Sequence, residues 1–269
     1  MPLGRVVGAP RRAVAHLQLS LAGFVALLVG AGVCVASAAV FAGATEDVTQ
    51  HNGLALHDAT RLRLFVDHRD AFVVHAANVA TTVGSVPVVA VIAVSAALLL
   101  WWRGARLAIA LAPVASLAVS ATAVSIVKTV VGRGRPPVAL HLVSESDASF
   151  PSGHATNSSA VFMTVALVIA VFVLRRSLAR AATVVAAGIM AAAVGASRLV
   201  LGVHWPSDVV AGMALGCAVA LGITMTAAIV TRLAPRPPST EDGHARKAVH
   251  RVQGWLALER RPRPDLRAA

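Results

Sequence analysis

Residues 150–174 read FPSGHATNSSAVFMTVALVIAVFVL. From Ala160 to Leu174 the segment carries no charge, and the run from Ala155 to Leu174 matches the roughly 20 residues that a hydrocarbon core of about 30 Å requires. Val, Ala and Leu follow one another without the two-residue alternation of a barrel strand, so the span reads as a helix. Along the 269-residue chain six such runs stand out, roughly 18–44, 78–102, 107–131, 155–174, 181–200 and 209–231, bounded by Arg, Asp or Gly/Pro clusters. Composition agrees: 13% of residues are charged and 57% hydrophobic, against about 25% charged in a soluble domain. The expected fold class is all-α, a six-transmembrane helical bundle over 18–231, between an N-terminal arm (1–17) and a basic, proline-containing tail (232–269).

A net charge of +12 would fit a nucleic-acid binder, but here the charge has an address. Arg5, Arg11 and Arg12 precede span 1. Arg103 and Arg106 separate spans 2 and 3, Arg175, Arg176 and Arg180 separate spans 4 and 5, and a run of Arg and Lys follows span 6. The connection between spans 1 and 2 is acidic on balance. Alternate connections are thus basic, which predicts cytoplasmic termini, no nucleic-acid partner, and outward-facing connections 1–2, 3–4 and 5–6 in a bacterial inner membrane. Arg11 and Arg12 before an apolar run ending SAAVFAGA also resemble a signal peptide, but the run exceeds the usual length. Cys34 and Cys217 fall inside spans and read as small core residues.

Within 58–76, Leu62, Phe65, Val66, Phe72 and Val73 share one helical face, which predicts a helix on the outer membrane surface leading into span 2. Gly212 and Gly216 form a small-xxx-small pattern, assigned to packing between helices of the bundle. In the tail, Val249, Val252, Trp255 and Leu256 recur at helical spacing beside Arg246, Lys247 and Arg251; a short helix on the anionic inner leaflet and a disordered tail are both open.

Three polar clusters interrupt the apolar pattern, all on the expected outer side: Lys128 to Pro136, Pro151 to His154, and Ser197 to Asp208. Lys128, Arg133, Arg135 and Arg198 are cations where the inside rule disfavours them, and ionisable residues at such places mark function. Few carboxylates stand nearby (Glu145, Asp147, Asp208), so a bound phosphate is the economical counter-ion. Arg135 and Arg198 offer the planar fork that suits phosphate oxygens, and Lys128 a point charge. Ser152 supplies a hydroxyl, Gly153 permits close backbone approach, and the N-terminus of span 4 supplies free N–H groups. His204 and Asp208 are one helical turn apart, so Asp208 can fix the imidazole tautomer and stabilise a charged ring. With His154 at the mouth of span 4, the pattern points to phosphoryl transfer: one histidine attacks phosphorus and the other protonates the leaving oxygen. No His-x-x-x-His and no paired carboxylates offer a metal site, and the cations would repel one, so no metal or other cofactor is expected.

Lys-x6-Arg-Pro (128–136), Pro-Ser-Gly-His (151–154) and Ser-Arg-x5-His-x3-Asp (197–208) together resemble the type 2 phosphatidic acid phosphatase superfamily, in order and at the expected spacing. The resemblance spans roughly 18–231. It implies a metal-independent phosphatase in which His204 forms a phosphohistidine and Asp208 holds it. His154 is then the general acid, and Lys128, Arg135, Ser152, Gly153 and Arg198 bind phosphate. His204 must then be neutral and His154 protonated, giving a bell-shaped pH–rate profile. A site at the outer membrane surface favours a lipid phosphate: first polyprenyl (undecaprenyl) pyrophosphate, recycled for cell-wall synthesis, then phosphatidic acid or phosphatidylglycerophosphate. A lipid phosphotransferase using the same phosphohistidine is the alternative. A phosphate transporter fits less well, since it would bury charge near the bilayer midplane. Oligomeric state is not encoded in these motifs.

Overall fold

A computed structural model describes residues 21–174 and 176–233. The N-terminal arm and the Val249–Leu256 pattern lie outside the described residues. Among the described residues all regular elements are helical: α1 (Leu21–Gln50), the single turn α2 (Gly53–Leu56), α3 (Asp58–Val66), α4 (Ala71–Val83), α5 (Val86–Trp102), the single turn α6 (Leu107–Ala110), α7 (Ala112–Val131), a 3-10 turn (Val138–Leu140), α8 (Gly153–Val168, extended by a π turn over Ile169–Val173), α9 (Ser177–Val200) and α10 (Pro206–Leu233). Five helices are long and apolar enough to cross a bilayer, and α4 with α5, bent by 51° at their junction, makes a sixth span if the pair is counted as one. Phe24, Leu28, Val91, Leu98, Ile126 and Leu178 are exposed, as lipid-facing side chains are.

Two expectations about the chain change here. Span 2, read as a continuous run over 78–102, is broken at Gly84 and Ser85. Ser85 is extended at the N-cap of α5, Pro87 sits in its first turn, and Gly84 packs so tightly on Val194 that a Cβ would strike it. The expected surface helix over 58–76 is two elements. Asp70 is extended and its carboxylate accepts the N–H of Val73 at 2.7 Å, so it starts α4 and ends any continuation of α3. α3 is not merely laid on the surface either: Leu62 is buried with Ala155, Leu199 and Val209, while Phe65 and Val66 pack against that cluster.

α8 is the central helix. Ala155 to Val161 are buried without interruption. The small and hydroxylated residues Ala155, Thr156, Asn157, Ser158 and Ser159 are what allow neighbours to approach. Their polar atoms are mostly satisfied across helices or along α8: Ser120 Oγ donates to Asn157 Oδ1 at 2.8 Å, Thr164 Oγ1 lies 2.9 Å from Ser116 Oγ, and Thr156 and Ser158 hydroxyls return to the carbonyls of Ser152 and His154. α10 crosses α8 at its two glycines. A Cβ at Gly216 would collide with the carbonyl oxygen of Thr156, with Ser159 Cβ at 2.7 Å and with the backbone nitrogen of Ala160 at 2.9 Å. The small-xxx-small pattern therefore serves this intramolecular seam. Because backbone and not a flexible tip blocks the space, Gly216→Ala is expected to destabilise the protein by about 1–3 kcal/mol, read as a lower melting temperature in detergent. An unchanged melt would show that the seam can open freely.

Two positive-φ glycines turn the chain at the end of the bundle where the polar clusters lie. Gly132 (φ 59°) closes α7, its N–H bonding the carbonyl of Lys128 at 3.0 Å. Gly202 (φ 73°) follows α9, where a Cβ would strike the carbonyl of Leu140. Arg69 locks this corner: Nε donates to the carbonyl of Val200 at 2.6 Å and Nη2 to that of Leu140 at 2.9 Å.

Candidate active site

Four helix ends converge at that end of the bundle. Lys128 lies in the last turn of α7, with Arg133 and Arg135 in the loop leaving it. Ser152 is the N-cap of α8, and Gly153 and His154 open that helix. Arg198 lies in the last turn of α9, His204 between α9 and α10, and Asp208 in the first turn of α10.

His204 is buried, with 2% exposure. Its Nδ1 lies 3.3 Å from Asp208 Oδ2, the pairing that the four-residue spacing predicts. Its Nε2 lies 3.3 Å from Nη1 of Arg135. A guanidinium only donates, so Nε2 must accept; Nδ1 then carries the proton and donates it to Asp208. Burial lowers the imidazole pKa, and the hydrogen bond and charge of Asp208 only partly restore it, so the ring stays neutral at pH 7.

Asp208 is fully buried and fully engaged. Oδ2 also accepts the Trp205 N–H at 2.9 Å and the Ser149 hydroxyl, and Oδ1 accepts Nη1 of Arg133 at 2.5 Å. The other arm of Arg133 reaches Asp58 Oδ2 at 2.7 Å. Asp58, buried at 3% exposure, additionally takes the N–H of Ser207 at 2.9 Å and its hydroxyl. Arg133 packs over the Trp205 ring, 5.7 Å from its centroid, while Trp205 Nε1 donates to the Gly134 carbonyl at 2.9 Å. The sequence reading counted Arg133 among cations awaiting an anion. The fold instead makes it the bridge between two buried carboxylates, because α3 brings Asp58 under the start of α10.

Lys128, Arg135 and Arg198 form a second cluster. Asp147 accepts from Lys128 Nζ and from Arg135 Nη2, each at 2.5 Å. Glu145 pairs with Arg198 and lies 3.6 Å from Arg135 Nη2. Arg135 also donates to the carbonyls of Val203 (2.7 Å) and Asp147 (2.9 Å), and Arg198 to the Thr81 hydroxyl (2.6 Å). Here too the economy of the sequence argument changes: two of the few nearby carboxylates do hold these cations. Burial pushes the Asp147 pKa up, but the hydrogen bonds and charges of Lys128 and Arg135 outweigh it and hold the carboxyl at about 2.

Ser152 is buried; its N–H donates to the Asp208 carbonyl at 3.1 Å, so this N–H is not free for an anion. Its hydroxyl and Arg198 Nε are both buried without a partner. A Cβ on Gly153 would meet only Val124, at 3.6 Å, so no protein atom demands glycine there. His154 is half-buried and close enough to Arg198, Glu145, His204 and Lys128 to feel their charges. The structure thus brings Lys128, Arg135, Ser152, Gly153, His154, Arg198, His204 and Asp208 to one end of the bundle. Asp58, Ser149 and Thr81 escaped the sequence reading. Ser149 adjoins FPSGH and had a positional hint; Asp58 and Thr81 had none.

Fold and site together are an all-helical, membrane-spanning bundle with a buried His–Asp pair beside a Lys/Arg cluster. Residues 109–232 match the model of the PAP2 superfamily. The chain is 38% identical over 91 residues to phosphatidylglycerophosphatase B of Bacillus subtilis, covering 34% of this chain and 44% of that one. It is 33% identical over 97 residues to decaprenylphosphoryl-5-phosphoribose phosphatase of Mycobacterium tuberculosis, covering 35% and 48%. The matched segments span less than half the length of these relatives. The fold is similar to the crystal structure of a transmembrane PAP2-type phosphatidylglycerolphosphate phosphatase from Bacillus subtilis, with a TM-score of 0.64 at 24% identity, covering 74% of this chain and 98% of that one.

Proposed function

We propose that the chain hydrolyses a lipid phosphate or pyrophosphate through a phosphohistidine on His204, at the outer face of a bacterial inner membrane. One observation carries the reading: the acceptor Nε2 of a buried, neutral His204 faces Arg135, and Arg135, Lys128 and Arg198 gather round a shared acidic pair, the arrangement that would hold a phosphoryl group in front of the nucleophile. Nε2 attacks phosphorus in line, the bond to the leaving oxygen breaks, and His154 gives that oxygen its proton. Water then attacks the phosphohistidine, passes a proton to His154 and releases orthophosphate. Asp208 stabilises the charged ring through Nδ1–H. The Ser152 hydroxyl and Arg198 Nε are the buried donors left for phosphate oxygens.

Both named relatives act on lipid-borne phosphates, which supports a lipid substrate here. Undecaprenyl pyrophosphate stays first in the panel, with phosphatidylglycerophosphate, phosphatidic acid and decaprenylphosphoryl-5-phosphoribose beside it. Purified protein in detergent with excess EDTA is expected to release orthophosphate from at least one of these. Strict dependence on a divalent ion, or release from none, would overturn the reading. A newly phosphorylated lipid in place of free phosphate would assign a transferase.

A further inference from the structure

The three cations offered to phosphate are already committed. Asp147 takes one hydrogen bond from Lys128 and one from Arg135, the adjacent Ala148 carbonyl takes a second from Lys128 at 2.7 Å, and Glu145 takes Arg198 Nη2. With the two carboxylates counted, the five groups carry a net charge of +1 in place of +3. Both acids sit on the loop between α7 and α8. Asp147 is 57% exposed and Glu145 26%, whereas Arg135 and Arg198 are 8% and 2% exposed. The buried partners are fixed, and the acids are the members of each pair with room to move.

Resting on the reading above, we propose that Glu145 and Asp147 act as an internal stand-in for the phosphate, which a substrate must displace to reach Lys128, Arg135 and Arg198. The pair keeps the guanidinium groups and the ammonium neutralised and oriented while the site turns over, and it sets the affinity threshold. A phosphate carrying two negative charges replaces what both acids supply, whereas a singly charged diester replaces only one. Asp147, held ionised down to about pH 2, does not leave by protonation at working pH, so displacement has to be driven by the incoming anion.

The test is equilibrium binding of inorganic orthophosphate to the full chain in detergent, by calorimetry at pH 8. Asp147→Asn and Glu145→Gln are each expected to tighten binding roughly 3–10-fold, the range for releasing a partly exposed ion pair, and to lower KM for the lipid substrate by a similar factor without raising kcat. Unchanged or weaker orthophosphate binding in both variants would overturn the proposal and make the acids positioning groups whose loss disorders the cations. Melting temperatures check folding. The exposed Asp147 variant keeps the test available if Glu145→Gln unfolds. Because binding is read without turnover, failure of the hydrolase reading appears separately, as wild-type protein that releases no phosphate.

Discussion

His204→Ala is expected to abolish orthophosphate release, by roughly 10⁴-fold or more, while the protein still folds. The size follows from the role: without Nε2 no covalent intermediate forms, and the remaining cations only bind. His204 is buried, so the alanine also leaves a cavity, and His204→Gln, which keeps bulk and one donor, must be equally inactive if chemistry and not packing is lost. Residual turnover within tenfold of wild type in either variant would remove His204 from the nucleophilic role. The acid limb of the wild-type kcat/KM profile gives an independent check. Burial lowers the His204 pKa below its ordinary 6.5, so the neutral, attacking form persists as pH falls and is lost only below that value. An acid limb centred below 6.5 is expected; one centred above it would contradict the buried environment.

Arg133→Leu is expected to cost about 3–5 kcal/mol of stability. Removing the guanidinium strands two buried carboxylates, Asp58 and Asp208, which face it at 2.7 and 2.5 Å. The measurement is a double-mutant cycle from thermal melts in detergent. The cost of Arg133→Leu should shrink in an Asp58→Asn background, because one stranded charge is already gone. Strict additivity would show that the bridge carries no coupling. Arg133→Lys should lie between, since an ammonium lacks the fork that spans both acids. Activity should fall alongside, because Asp208 loses one of the partners that aim it at His204.

The spans were legible because bilayer thickness imposes length and polarity on consecutive residues, and the polar motifs that meet at one end of the bundle were legible because they combine fixed spacing with charge in an apolar setting. The break at Gly84 and Ser85 was not. A Gly-Ser-Val-Pro stretch inside an apolar run is compatible with a continuous or kinked helix, and the close contact with Val194, 110 positions along the chain, decides it. Arg133 shows the same limit more sharply. Sequence reveals a cation out of place but not that a carboxylate 75 residues earlier folds beneath it. Asp58 and Ser149 are single polar residues in irregular or short elements, where no periodicity distinguishes a buried partner from a solvated one. Asp70 could have been read: a capping residue before an apolar run is a start signal, and the amphipathic pattern across it hid the boundary.

The seam at Gly216 has a further consequence for traffic through the bilayer. With α10 backbone lying against α8 backbone, no aliphatic chain can slide between these two helices at that depth. On the function proposed above, a prenyl or acyl tail trailing from a phosphate at His204 would have to pass outside this seam. Val83, Ile92, Phe162, Thr183 and Met190 line an apolar recess among α4, α5, α8 and α9. One missing methyl group thereby closes this helix crossing to a lipid tail.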